Sequence, residues 1–253
     1  MKRRSFLLTA AAVLSLGATS TTFADEPAPK VIRVAFSGIG LGNKPASASS
    51  ILSTVHQKGF LEQEFAKDGI KVEWSFFAGA GPATNEALAL KKIDFATQGD
   101  LPLVVARSNG LRTKILAADS FLSKTYLIVP NGKPYQKLED LKGKKVGVQK
   151  GTAGQLRLAR LFENVGLTQD DFKLIDMNTE TQNAAISTGE VDAVLSSSTD
   201  LIARGLARRI LTVDDPKVIS PSQIWASEEF EQKHPEIVQR FVNVVVSTAA
   251  WAA

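Results

Sequence analysis

Residues 71–110 read KVEWSFFAGAGPATNEALALKKIDFATQGDLPLVVARSNG, and this stretch decides the fold. Val72 to Phe77 is a β-branched and aromatic run, the signature of a strand. Gly79-Ala80-Gly81-Pro82 is a turn, and Ala83 to Lys91 has helical spacing of its apolar residues. Ile93 to Thr97 is a second strand, after which Gly99-Asp100 opens a helix over Leu101 to Ser108. Strands alternating with helices predict an α/β fold with a parallel sheet. In such sheets ligands lie beyond the carboxyl ends of the strands, where helices begin. A helix start carries free amide donors and a partial positive charge, so it suits a small anion. Gly79, Gly99 and Asp100 are therefore candidate site residues. Each also has a plainer role: Gly79 in the start signal that includes Pro82, Asp100 as the N-cap of the following helix.

The pattern recurs downstream at a constant offset of 98. Asn85, Ala87, Leu88, Ile93 and Asp94 match Asn183, Ala185, Ile186, Val191 and Asp192. The strand-helix alternation around them repeats as well, which predicts two similar α/β lobes: residues 30–122, then residues 123–215. Residues 216–253 return to the first lobe and begin a C-terminal helical part. A cleft between two lobes is a usual place for a small ligand.

Towards the amino end, Lys2-Arg3-Arg4 precedes an apolar run from Phe6 to Ala18 and a small-residue exit at Thr22-Phe23-Ala24. This is the pattern of an export signal over residues 1–24, too short to be a membrane span, which needs roughly 20 apolar residues. Arg3-Arg4 leaves the general and the twin-arginine routes both open. The chain has 30 basic and 26 acidic residues; without Lys2, Arg3 and Arg4, 27 remain against 26. The basic excess thus belongs mostly to the signal, and a nucleic-acid partner is not implied. With no cysteine, disulfides, thiolate metal sites and cysteine catalysis are excluded. An exported chain of this kind needs a core that is stable unaided, and 44% hydrophobic residues in 253 allow one.

Further glycine turns and strand ends supply the other candidates. Val31 to Phe36 is the first strand, and Ser37-Gly38-Ile39-Gly40-Leu41-Gly42 after it lets backbone amides approach a ligand at Gly40 and Leu41, or is a mobile loop. Its spacing is not that of a dinucleotide fingerprint. Asp119 follows the strand Lys114 to Ala118. Gly151-Thr152-Ala153 opens the helix Gln155 to Asn164; its amides and the Thr152 hydroxyl can grip an oxyanion, or Thr152 caps the helix. Ser197 and Ser198 lie after the strand Val191 to Leu195, either as turn chemistry or as pocket lining. His56 and His234 are the only histidines and lack metal-ligand spacing, and no nucleophile elbow is present. No catalytic residue, metal or cofactor is expected. Of the tryptophans, Trp225 is the one expected to touch the hinge or cleft.

The chain resembles the solute-binding proteins of ABC importers, in the aliphatic-sulfonate, taurine and nitrate group. The resemblance rests on Gly59-Phe60-Leu61 with Gly69 to Trp74, on Gln98-Gly99-Asp100-Leu101-Pro102, on Leu138 to Val148, on Lys150-Gly151-Thr152, and on Ser227 to Trp251. It implies a type II periplasmic-binding-protein-like fold of two lobes joined by a hinge, with an oxyanion closed between them. It implies as partners the small anionic ligand and a membrane ABC permease, and a monomeric periplasmic protein. Where many sulfonate binders have a tryptophan-rich stretch, this sequence has Ser196-Ser197-Ser198-Thr199-Asp200, which predicts a roomier and more polar wall. The resemblance also implies further helices after Ala253, so the C-terminal helical part is expected to be truncated. Two rival functions share the fold: binding or synthesis of a thiamine-type pyrimidine, and a periplasmic sensor using the same cleft. The synthetic chemistry would need clustered His and Cys.

Overall fold

The structure is a computed structural model, and it describes residues 27–39, 50–120, 124–197, 199–219 and 221–252. The first lobe holds strands β1 (Val31–Phe36), β2 (Lys71–Phe76), β3 (Phe95–Gln98) and β4 (Thr113–Ala118). The second holds β5 (Thr125–Pro130), β6 (Lys145–Val148), β7 (Lys173–Asp176), β8 (Ala193–Ser196) and β9 (Ala207–Val213). The chain then returns as β10 (Gln223–Ser227). The two five-stranded sheets run β2-β1-β3-β10-β4 and β7-β6-β8-β5-β9.

These orders superimpose position by position, so the repeat in the sequence is a repeat of topology. The sheets are not wholly parallel, as the alternation predicted. β10 lies antiparallel between β3 and β4, and β5 lies antiparallel between β8 and β9. Each is the strand by which the chain has just crossed from the other lobe, so it enters its sheet from the opposite end. The all-parallel expectation holds only for β2-β1-β3 and β7-β6-β8.

The matched aspartates show what the repeat preserves. Asp94 accepts from the Arg33 main-chain N–H at 2.8 Å and from the Arg33 guanidinium at 3.0 and 2.7 Å. Asp192 accepts from the Lys145 N–H at 3.0 Å and from the Tyr135 hydroxyl at 2.7 Å. In both lobes the carboxylate takes the amide near the start of the central parallel strand, a donor with no ladder partner there. A buried N–H left without an acceptor is costly.

Helices α1 (Ile51–Lys58), α2 (Phe60–Ala66), α3 (Ala80–Ala89) and α4 (Asp100–Ser108) belong to the first lobe. Ser50 caps α1, and Gly59 ends it with a φ of 64°, the left-handed conformation that glycine adopts cheaply. After Gly59 the chain re-enters a helix at Phe60. α3 begins at Ala80 rather than Ala83, which places Pro82 in its first turn, where a missing N–H does no harm. α5 (Ala153–Glu163), α6 (Thr179–Thr188) and α7 (Asp200–Ala203) belong to the second lobe. After β10, α8 (Glu228–Lys233) and α9 (Pro235–Ala252) return to the first. Phe241 of α9 stacks on Phe95 with ring centroids 4.1 Å apart, inside a core that also takes Leu52, Leu61 and Phe65. The second lobe has its own core, around Leu127, Leu141, Val146 and the stacked pair Phe162 and Phe172.

Asp94→Ala and Asp192→Ala are each predicted to destabilise the protein by about 1–2 kcal/mol, the loss of hydrogen bonds to a charged acceptor. Urea unfolding measures this; losses below about 0.5 kcal/mol in both variants would contradict the assigned role.

Candidate functional site

A cleft of about 1080 Å³ separates the lobes. It is lined by the carboxyl ends of β1 and β3 and the starts of α1, α3 and α4 on one side. The end of β6, the start of α5 and residues near β8 line the other. The two sets of helix starts come close together. Gly99 occupies the N-cap of α4, and a Cβ built on it would lie 2.4 Å from the Ala153 Cβ at the start of α5. Gly151, at φ +72°, would bring a Cβ to 2.9 Å from Pro82 Cγ. Two polar contacts join the lobes beside them. Gln149 Nε2 donates to the Ala78 carbonyl at 3.0 Å, and Arg160 Nη1 donates to Asp100 Oδ2 at 3.5 Å.

Of the residues expected to bind, Gly99, Asp119, Thr152, Ala153 and Ser197 line the cleft. Gly40, Leu41 and Ser198 lie outside the described residues. Gly79 stands at the N-cap of α3, with its Cα facing Ala83 rather than the cleft. Asp100 is not the N-cap of α4; it is the first helical residue, and its carboxylate accepts from the Leu101 N–H and meets Arg160 across the lobes. Its charge thus turns to a cation of the other lobe. The Gly151 amide already donates to Gln155 Oε1 at 2.7 Å. Thr152 holds the N-cap position of α5 without capping it, since its hydroxyl donates to the Gln149 carbonyl at 2.7 Å.

Asp119 is 2% exposed and its carboxylate is fully engaged. It accepts from Ser50 Oγ at 2.6 Å, the Leu52 N–H at 2.8 Å and Thr97 Oγ1 at 2.8 Å. The same residue donates its N–H to the Ser222 carbonyl and accepts from the Ile51 N–H. It therefore ties the start of α1, the end of β3 and the entry to β10 into one joint beside the cleft. These bonds take up the hydroxyl hydrogens of Ser50 and Thr97.

Sequence reading missed Arg157. It lies on α5, one turn after Ala153, so both face the cleft. Its guanidinium donates to Thr125 Oγ1 at 3.1 Å. Burial pushes its pKa below the usual arginine value, with the Asp100 charge opposing the shift and Arg160 adding to it. Arginine stays protonated even so. Arg157 thus sets a positive charge in the cleft wall, within the field of Asp100. The available signal was a basic residue four positions after the Gly151-Thr152-Ala153 helix start. Lys124 adds a second positive charge to the lining, against the single carboxylate of Asp119.

Neither histidine belongs to this site. His56 packs edge-on against Trp74, and His234 ends α8. No group of three metal-ligating side chains occurs among the described residues. Trp225, expected near the cleft, is wholly buried in the first lobe on β10, because the return strand runs through the middle of the sheet.

Residues 52–253 match the family described as NMT1/THI5 like. The chain belongs to that family. Crystallographic periplasmic sulfonate-binding protein SsuA from Methylobacillus flagellatus KT is 33% identical to this NMT1/THI5-like chain. Its TM-score is 0.71, over 88% of this chain and 69% of that one. A Bacillus subtilis (strain 168) protein named as an aliphatic sulfonates-binding protein is 28% identical over 209 residues, which are 80% of this chain and 62% of that protein. The alkanesulfonate-binding protein SsuA from Xanthomonas axonopodis pv. citri, bound to MOPS, shares the fold at 23% identity with a TM-score of 0.75. That alignment covers 88% of this chain and 74% of the Xanthomonas one. The NMT1/THI5-like chain thus has the two-lobed type II architecture, and it spans about three-fifths to three-quarters of the length of these relatives.

The contact between Gly99 and Ala153 gives a direct prediction. Gly99→Val wedges the lobes apart at their closest approach, and the hinge yields before either core does. Small-angle scattering should show a larger radius of gyration with the melting temperature kept within a few degrees. An unchanged radius in a folded variant would contradict the contact.

Proposed function

We propose that this chain is the extracytoplasmic receptor of an ABC importer, which captures a small oxyanion of the sulfonate class and delivers it to a membrane permease. Taurine and nitrate belong to the same ligand group. The observation that carries the reading is Arg157, a partly buried cation in the wall of a cleft whose opposite wall belongs to another lobe. In the proposed mechanism the anion meets Arg157 and the start of α5 on the second lobe. Closure about the crossings then brings up Gly99 and the start of α4, and the Asp100 to Arg160 pair seals one side. Residues 1–24 serve as the cleaved export signal, lobe boundaries fall near residues 122 and 215, and the receptor acts as a periplasmic monomer. It works by binding rather than catalysis. The absence of cysteine, and a cleft lining that includes neither His56 nor His234, support that choice over pyrimidine synthesis.

Arg157→Met should weaken sulfonate binding by one to two decades, the loss of a hydrogen-bonded charge worth about 1.5–3 kcal/mol. Isothermal calorimetry on the folded variant reads it, with ethanesulfonate as the probe. Unchanged affinity would remove the anion from this wall.

A further inference from the structure

The two walls of the cleft differ in character. On the first lobe, Phe36 and Phe76 are the last residues of β1 and β2, paired in register, and both line the cleft. Their rings stack at 5.3 Å with an interplanar angle of 7°. Trp74 extends the stack at 5.6 Å from Phe36, and it lies on the same sheet face as Phe76 because strand side chains alternate. His56 of α1 closes the group edge-on, and Trp74 Nε1 donates to Glu62 at 2.7 Å. The rings are therefore held in place from behind.

Among the described residues, three hydroxyls near this shelf are engaged within the first lobe. Ser37 Oγ lies 2.8 Å from both the Thr97 carbonyl and Thr84 Oγ1. The hydroxyl hydrogens of Ser50 and Thr97 go to Asp119. Among the described residues, this part of the first-lobe wall presents the Phe76 ring backed by the nearly buried Phe36, whereas the second-lobe wall carries the Arg157 cation. A ligand that satisfies both has its charge at one end and a flat apolar body at the other. A cleft of about 1080 Å³ has room for such a body, since sites for drug-sized ligands run from about 300 to 1000 Å³.

We propose that Phe36 and Phe76 form the subsite for the organic part of the ligand and that its substrate class is the ring-bearing sulfonates, with an aromatic ring laid against Phe76. This rests on the sulfonate reading above. Offset stacking between rings adds to the gain from area alone, so a planar ring is favoured over an alkyl chain of equal carbon number.

The test is calorimetry on the full chain with ethanesulfonate, 1-hexanesulfonate and benzenesulfonate, for the wild type and for Phe76→Leu, which keeps apolar bulk without a ring. In the wild type, benzenesulfonate should bind at least tenfold tighter than ethanesulfonate and tighter than hexanesulfonate. In Phe76→Leu the ring should lose its advantage over hexanesulfonate. If ethanesulfonate binds as tightly as benzenesulfonate in the wild type, or if the ring preference survives in Phe76→Leu, the subsite is wrong and the sulfonate reading stands. Binding of none of the three overturns both. The wild-type series decides by itself if the variant does not fold.

Discussion

The structure depends on a close approach between two backbones. Gly99 at the start of α4 and Ala153 at the start of α5 come from different lobes, and no side chain larger than a hydrogen fits at Gly99 without displacing its neighbour. The approach brings two positively polarised helix ends to one space. Alone they would repel. Two local features offset this: Asp100, which carries a carboxylate into the field of Arg160 and Arg157, and the uncharged bond from Gln149 to Ala78. The described lining of the cleft carries two cations, Arg157 and Lys124, against the one carboxylate of Asp119.

The crossed strands hold this geometry. β5 and β10 each lie inside the sheet of the lobe they enter, not at its edge, so neither lobe completes its sheet without a strand that has just come from the other. Asp119 fastens α1, β3 and the entry to β10 through hydrogen bonds of 2.6 to 2.9 Å.

Much of this architecture was legible in the sequence because it is written in local patterns. The strand, glycine turn and helix of residues 71–110 are each set by neighbours a few positions away, and the match of Asp94 with Asp192 reports a hydrogen bond made in both lobes. The antiparallel strands were not legible, since periodicity reveals a strand but not the end from which it enters a sheet. The site was legible only in part. Glycines at helix starts pointed to the right region, but whether an amide is free depends on a distant partner: Gln155 takes the amide of Gly151, and Asp100 turns to a residue 60 positions away. Arg157 was invisible because its burial, which gives it meaning, arises only when the second lobe folds.

The most direct measurement is a crystal structure of the mature chain with ethanesulfonate. The account predicts the sulfonate between the lobes, with an oxygen within hydrogen-bond distance of the Arg157 guanidinium and with Gly99 and Ala153 in contact above it. A sulfonate bound on an outer surface, or held in the cleft with Arg157 turned away from it, would contradict the account.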